Sequence, residues 1–334
     1  MDRCKVAVIG GGSWGTTVAS LISRNTDLTL WARDANTVDE INRTHRNSRY
    51  LKDAPLNTKL RASHDLNATV AQADVVVMAV PSNSFRDVLS EITHDIRPDV
   101  PVISLTKGLE RGTRMRMTEI IREVLPGRPA GVLTGPNLAR EILAGQAAAS
   151  VLAVDNQDCI SWLQPLFNIG LFRVYTNHDV IGCELGGVLK NIIAIAVGMG
   201  DGLGAGDNTR AALITRGLAE MTRLGTALGG RPETFAGLAG MGDMIATCTS
   251  PQSRNRHVGI ELAKGHAIDD IIASMHMVAE GVKSAPTVIE LAHENDVFMP
   301  ISEDVYKVII GESNAHRVYR GLLRNSAGAE SDPA

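Results

Sequence analysis

Residues 5–20 read KVAVIGGGSWGTTVAS, and this stretch decides the first half of the fold. A short apolar run, 6–9, leads into G-x-G-x-x-G and passes directly into a segment of small and apolar residues, which is the order strand, turn, helix. Each glycine has a separate task in that motif. Gly10 permits the tight turn, Gly12 lets a pyrophosphate approach the backbone, and Gly15 lets the helix pack closely on the strand. The N–H groups exposed where the helix starts then hold phosphate oxygens. A dinucleotide is the expected ligand.

Working outward, residues 28–31, 75–80, 100–105 and 131–133 are further predicted strands. The run 75–80, VVVMAV, is apolar at every position, as a parallel strand covered on both faces requires. Amphipathic stretches at 16–24, 84–92 and 114–125 separate the strands, the alternation of βαβ units. Two later runs, 147–154 and 172–175, are suited to extend the same sheet. After residue 177 the texture changes to long stretches rich in Ala, Leu, Ile and Met, at 180–199, 208–228, 281–294 and 302–310, whose length favours helix. The expected architecture is an α/β N-terminal half of the Rossmann type, a doubly wound sheet over 1–180, and an all-α C-terminal domain over 181–334 that carries the substrate and catalytic groups. Residues 325–334 are small and polar and are expected to fray.

Composition agrees. A chain of 334 residues suits two domains, and with 44% apolar and 21% charged residues and mean hydropathy near zero it is neither disordered nor a membrane bundle. Glycine is enriched, at 32 residues. Acidic and basic residues nearly balance at a net charge of −4, so neither a nucleic acid nor a membrane surface is an expected partner. The basic run 43–50 reads as a solvated loop after the second helix. Four scattered cysteines, Cys4, Cys159, Cys183 and Cys248, form no CxxC and suit a reducing compartment. No signal-like segment or apolar run of membrane length is present, so a cytoplasmic protein is expected. The nine histidines show no metal-ligand spacing, and no metal is expected.

Several further positions carry chemistry. Arg33 ends the second predicted strand, where it is suited to stack on adenine and pair with a 2′-phosphate; Asp34 beside it suits a ribose diol. NAD and NADP therefore both stand as cofactors. Lys190 lies among Val188, Leu189, Ile192, Ile193 and Ala194. Two readings are open for it: a buried amine brought into the range of acid/base work by desolvation, or a packed stem whose head reaches water. The glycine-dense turn 200–206 leads into a helix with Asp207, Asn208 and Thr209 as cap candidates, leaving Asp201 and Arg210 as site-shaping residues. The segment 240–257, GMGDMIATCTSPQSRNRH, reads as a polar loop. Its Ser253, Arg254 and Asn255 suit a phosphate, and Asp243 and Thr247 stand one helical turn apart. Lys107 follows the strand 100–105, at a carboxyl end where α/β sites form.

Together these motifs resemble the NAD(P)-dependent glycerol-3-phosphate dehydrogenases of bacterial type, which supply glycerol phosphate for phospholipid synthesis. The resemblance covers roughly residues 4–325. It rests on GGGSWGTTVA at 10–19, SLTKGLE at 104–110, LTGPNLAREI at 133–142, the run at 189–218, GMGDMIATCTSPQSRNR at 240–256 and VAEGVKS at 278–284. It implies reduction of dihydroxyacetone phosphate with NAD or NADP, by a homodimer. It further implies that Lys190 is the acid/base group, supported by Asn191, Asp243 and Thr247. Lys107, Gly135, Asn137, Lys190, Asp243, Ser253, Arg254 and Asn255 would contact the triose phosphate. Gly10, Gly12, Ser13, Trp14, Gly15, Arg33, Lys107, Ala139, Arg254, Val278 and Glu280 would line the cofactor site. The chain departs from the family pattern at Asn137, usually Ser; at Leu138, usually Phe; at Gly11, often Ala, where the exchange reads as harmless; and at Val282, often aromatic. Two rivals remain: a β-hydroxyacid-type dehydrogenase with a carboxylate pocket, and a non-catalytic NAD(P) sensor.

Overall fold

The apolar runs of the first 180 residues assemble into one eight-stranded sheet in the order β3-β2-β1-β4-β5-β6-β7-β8. The computed structural model describes residues 3–275 and 279–322. Its chain divides into two compact units, Met1–Val180 and Ile181–Ala334.

In the first unit the strands are β1 (Lys5–Ile9), β2 (Asp27–Trp31), β3 (Arg61–Ser63), β4 (Val75–Met78), β5 (Val102–Ser104), β6 (Ala130–Thr134), β7 (Ala148–Val154) and β8 (Phe172–Asn177). All neighbours pair parallel except β6 and β7, which pair antiparallel. The order turns back at β1, whose neighbours are β2 and β4, and this is where a doubly wound sheet binds its ligand. Residues alternate between two apolar layers: Val6, Val8, Val75 and Val77 enter one, and Ala7, Ile9, Val76 and Met78 enter the other. Helices cover both layers: α1 (Ser13–Ile22), α2 (Ala35–Thr44), α3 (Ser48–Leu51), α4 (Leu66–Val70), α5 (Phe85–Glu91), α6 (Met117–Val124), α7 (Ala139–Leu143) and α8 (Gln157–Phe167). Burial of each valine, isoleucine or methionine side chain in these layers contributes about 1.5–3 kcal/mol.

Several boundaries differ from the sequence expectation. Helix α1 begins at Ser13, inside the glycine motif, because Gly12 is extended and serves as its N-cap. Strand β3 was not anticipated; it is three residues long and only partly buried, so it carries no apolar signal. The segment 43–50 is not a loop throughout: it closes α2 and enters α3, and Asn47 within it is fully buried.

The second unit is helical: α9 (Val180–Gly202), α10 (Asp207–Ala227), α11 (Pro232–Phe235), α12 (Asp243–Thr249), α13 (Arg254–Ala263), α14 (Ile268–Ser274), α15 (Glu280–Glu294), α16 (Pro300–Ile309) and α17 (Ala315–Leu322), with a π-helical turn at Leu238–Gly242. Helix α9 is long and apolar enough to cross a membrane by length and composition, but its most apolar window is 94% buried inside the structure, which makes it a core helix. Helix α10 starts at Asp207 with Gly206 as N-cap, and no side chain caps it; Asp207 pairs with Arg210 instead.

Candidate active site

The glycine loop sits at the carboxyl end of β1, and its three glycines are distinguished by what a Cβ would meet. At Gly10, held at φ +128°, it would lie 2.6 Å from the Ala79 carbonyl oxygen. At Gly15 it would lie 2.1 Å from the Gly10 carbonyl oxygen. At Gly12 it would meet nothing within 4 Å. Gly10 and Gly15 are thus demanded by the fold, whereas Gly12 keeps a face open at the uncapped amino end of α1. That cradle fits the pyrophosphate of a dinucleotide. At Gly11 an added Cβ would approach the Ala32 Cβ to 2.6 Å, so glycine is accommodated here where alanine would be tight.

Asn47, which the sequence did not single out, secures this loop. Its amide donates to the Gly11 carbonyl and to Thr16 Oγ1, both at 2.9 Å. Ser13 opens α1, and its carbonyl accepts from Thr17 Oγ1. Trp14 stacks edge-on against Phe172 at 6.0 Å. After β2, Arg33 is exposed and takes no partner among the described residues. Asp34 is already engaged: it caps α2 through the Asn36 N–H, accepts from Thr37 Oγ1 and pairs with Arg49 at 3.3 Å. The Thr37 and Asn36 hydrogen bonds hold its carboxyl below the usual carboxylate range.

Lys107 follows β5, and its Nζ donates to the Gly135 carbonyl at 2.9 Å. Gly135 is held at φ +135° against the backbone of Ser150. Asn137 accepts a short hydrogen bond from Ser150 Oγ, and its own Nδ2 is a buried donor without a partner. Ala139 opens α7. The loop after Lys107 is clamped by Arg86 of α5, which forks onto Glu110 at 2.7 and 2.9 Å. Glu110 stands in the SLTKGLE motif, yet nothing in its local sequence names Arg86 as its partner.

In the second unit Lys190 is buried, with 5% exposure, so its head does not reach bulk water. Its Nζ lies 2.9 Å from Asp243 Oδ1 and donates to Thr247 Oγ1 at 2.5 Å. A buried ammonium requires such a countercharge. The segment 240–257, expected as a loop, folds instead into the π-helical turn, α12 and the start of α13, so only residues 250–253 lie outside helix. Helix α12 places Asp243 and Thr247 on one face, where Thr247 Oγ1 donates to the Asp243 carbonyl at 2.7 Å.

At the start of α13, Ser253 is the N-cap and its Oγ accepts the Arg256 N–H. Arg254 follows the cap, exposed and within the field of the Glu280 carboxylate at the start of α15. Asn255 donates to Asn191 Oδ1 at 2.9 Å, and its own Oδ1 accepts the Gly281 N–H at 3.0 Å. Asn191 in turn donates to the Gly187 carbonyl. The Asn255 amide therefore ties α9, α13 and α15 together and retains one N–H for a ligand. An anion is suited to this helix start, where a cap serine, an arginine and an amide converge. Val278, expected at the cofactor, lies outside the described residues.

Comparisons with known proteins identify the family. The family model described as "NAD-dependent glycerol-3-phosphate dehydrogenase N-terminus" matches residues 5–160, and its C-terminus counterpart matches 179–320. The chain belongs to the NAD-dependent glycerol-3-phosphate dehydrogenase family. A glycerol-3-phosphate dehydrogenase [NAD(P)+] of Sphingopyxis alaskensis is 67% identical over 331 residues, 99% of each chain. One from Mycobacterium avium is 56% identical over 331 residues, 99% of this chain and 97% of the relative. The crystal structure of the glycerol-3-phosphate dehydrogenase of Coxiella burnetii superposes with a TM-score of 0.92 at 36% identity, covering 97% of this chain and 99% of that one. The glycine loop and Lys107 fall within the first family match, and Lys190 and the start of α13 fall within the second.

Proposed function

We propose that the chain catalyses the reversible NAD(P)-dependent reduction of dihydroxyacetone phosphate to sn-glycerol 3-phosphate, with Lys190 as the general acid/base. The observation that carries this reading is the buried Lys190–Asp243–Thr247 cluster in a unit that also presents Ser253, Arg254 and Asn255 at the start of α13.

The one contribution from outside the chain is the hydride of a bound reduced nicotinamide. Reduction of the C2 carbonyl develops negative charge on its oxygen. Lys190 holds a proton at that oxygen, stabilises the charge and donates the proton; in reverse it accepts the alcohol proton. Of the three ammonium N–H groups, two go to Asp243 and Thr247, and the third is assigned to the C2 oxygen. Asp243 lies against Nζ as its counterion, and Thr247 fixes the direction of Nζ. Arg254, with Ser253 and Asn255, grips the phosphate, which orients C2. Lys107, Gly135 and Asn137 are assigned further substrate contacts. Gly10, Gly12, Ser13, Trp14, Gly15, Arg33, Lys107, Ala139, Arg254, Val278 and Glu280 are assigned to the cofactor. The relatives are named for NAD(P)+, which supports either nicotinamide nucleotide. A homodimer in the cytoplasm completes the proposal.

The test follows NADH and NADPH oxidation with dihydroxyacetone phosphate at equal cofactor concentrations. Turnover with at least one cofactor is expected; none with either overturns the reading.

A further inference from the structure

Asp201 lies near the end of α9, eleven residues beyond Lys190 on the same helix. Its carboxylate is buried and joins three helices. Oδ1 accepts a fork from Arg210 of α10, at 3.1 Å from Nε and 2.8 Å from Nη2. Oδ2 accepts from Arg256 Nε of α13 at 2.6 Å. Arg256 is two residues from Arg254 and adjacent to Asn255. Its own backbone N–H is the one that Ser253 Oγ caps. The side chain and the backbone of Arg256 thus fasten the start of α13 from two sides.

The helices meet closely enough for that fastening to be exacting. A Cβ at Gly198 of α9 would lie 2.1 Å from the Arg256 carbonyl oxygen, and one at Gly259 of α13 would lie 2.1 Å from the Ile195 carbonyl oxygen. Glycines bring the two backbones together, but a glycine contact is smooth and does not by itself fix rotation or sliding along the axis. Two polar links supply the register: Asn191 to Asn255 near Lys190, and Asp201 to Arg256 farther along α9.

We propose that Asp201 is a positioning residue for the phosphate grip. Acting through Arg256, it sets where Ser253, Arg254 and Asn255 stand relative to Lys190. This rests on the proposed function, since it assigns those residues to the triose phosphate. The predicted signature is therefore a loss of substrate affinity, not of proton transfer: Lys190, Asp243 and Thr247 keep their own contacts when the Asp201–Arg256 link is cut.

Asp201→Asn removes the charge, and Arg256→Met removes the other end while leaving Asp201 paired with Arg210. Each is expected to raise KM for dihydroxyacetone phosphate by about tenfold or more, with kcat within about threefold and KM for the nicotinamide cofactor unchanged. The double variant is expected to show no further rise, because both changes cut one link. Asp201→Glu, which retains the charge, is expected to restore part of the affinity. Unchanged KM for dihydroxyacetone phosphate in the folded variants, or a fall in kcat at constant KM, overturns the proposal. If Asp201→Asn does not fold, Arg256→Met alone carries the same criterion. Absence of turnover in the unaltered enzyme instead refutes the function on which the proposal rests. In that case the positioning role is read from inorganic phosphate binding by calorimetry: weaker binding in Arg256→Met supports it, and equal binding overturns it.

Discussion

Lys190 Nζ lies 2.9 Å from Asp243 Oδ1, with side-chain exposures of 6% and 3%. The two residues are brought together from α9 and α12, and neither charge has bulk water to solvate it. Asp243→Asn leaves the ammonium buried without its countercharge. The expected outcome is a loss of about 3–5 kcal/mol in unfolding free energy. Lys190→Ala is expected to lower kcat by about 10²–10⁴-fold. Near-normal turnover in a folded Lys190→Ala enzyme rules the lysine out as acid/base.

The glycine loop offers a sharper pair of substitutions. Gly12→Ala is expected to fold normally, since its Cβ meets nothing and its φ of −71° suits any residue, but to raise KM for the cofactor. Gly15→Ala drives a methyl into the Gly10 carbonyl and is expected to cost about 1–3 kcal/mol or more. Urea unfolding and cofactor kinetics on both proteins separate the ligand's demand for glycine from the fold's. The reverse pattern contradicts the assignment.

Cofactor choice turns on Arg33 and Asp34. Asp34 is committed to Asn36, Thr37 and Arg49, whereas Arg33 remains exposed. Arg33→Asp is expected to raise KM for NADPH by about tenfold, the equivalent of 1.4 kcal/mol, and to change KM for NADH much less. Equal effects on the two would remove Arg33 from 2′-phosphate recognition.

Two carboxylates give opposite pH dependence of stability. The Arg86 guanidinium, with help from Thr113, holds Glu110 below its ordinary value of 4.5. A lowered folded-state pKa stabilises the fold above the unfolded value, and this contribution fades as pH falls below about 4.5. Arg86→Met is expected to flatten that acid limb. Burial pushes Glu220 of α10 above 4.5, although the Ile301 and Ser302 N–H groups and the Ser302 hydroxyl donate to it. Its raised pKa stabilises below the unfolded value and is lost as pH rises through the folded value. Glu220→Gln is expected to remove that decline. Unfolding free energies measured from about pH 3 to about pH 8 for both variants check the two signs.

Cys248 adjoins Thr247 and is buried, and burial pushes its thiol up to about 12. The thiolate is the reactive form, so at about pH 8 the folded enzyme is expected to resist iodoacetamide at this position. Mass spectrometry of the treated protein reads the outcome; rapid alkylation of Cys248 with loss of activity contradicts it.

The sequence by itself determined the layered sheet and the helical second half. A parallel strand buried on both faces must be apolar at successive positions, as Val75, Val76, Val77 and Met78 are, and a glycine turn between strand and helix is equally local. It also named Lys190, because an amine amid an apolar helix stands out. Only the tertiary structure decided which groups meet. Asp243 pairs with Lys190, Asn255 with Asn191, Arg256 with Asp201, Arg86 with Glu110 and Asn47 with Gly11, across separations of 24 to 64 residues. Helical and strand periodicity extends over a few turns or pleats and carries no record of such partners. Likewise β3 was invisible because a partly exposed edge strand needs no apolar run, and the segment 240–257 read as a loop because several of its buried positions, Asp243, Thr247, Ser253 and Asn255, are polar and break up an apolar stripe. Local sequence states which faces must be buried; the packing of distant helices states what the buried polar groups are paired with, and that pairing is where the chemistry resides.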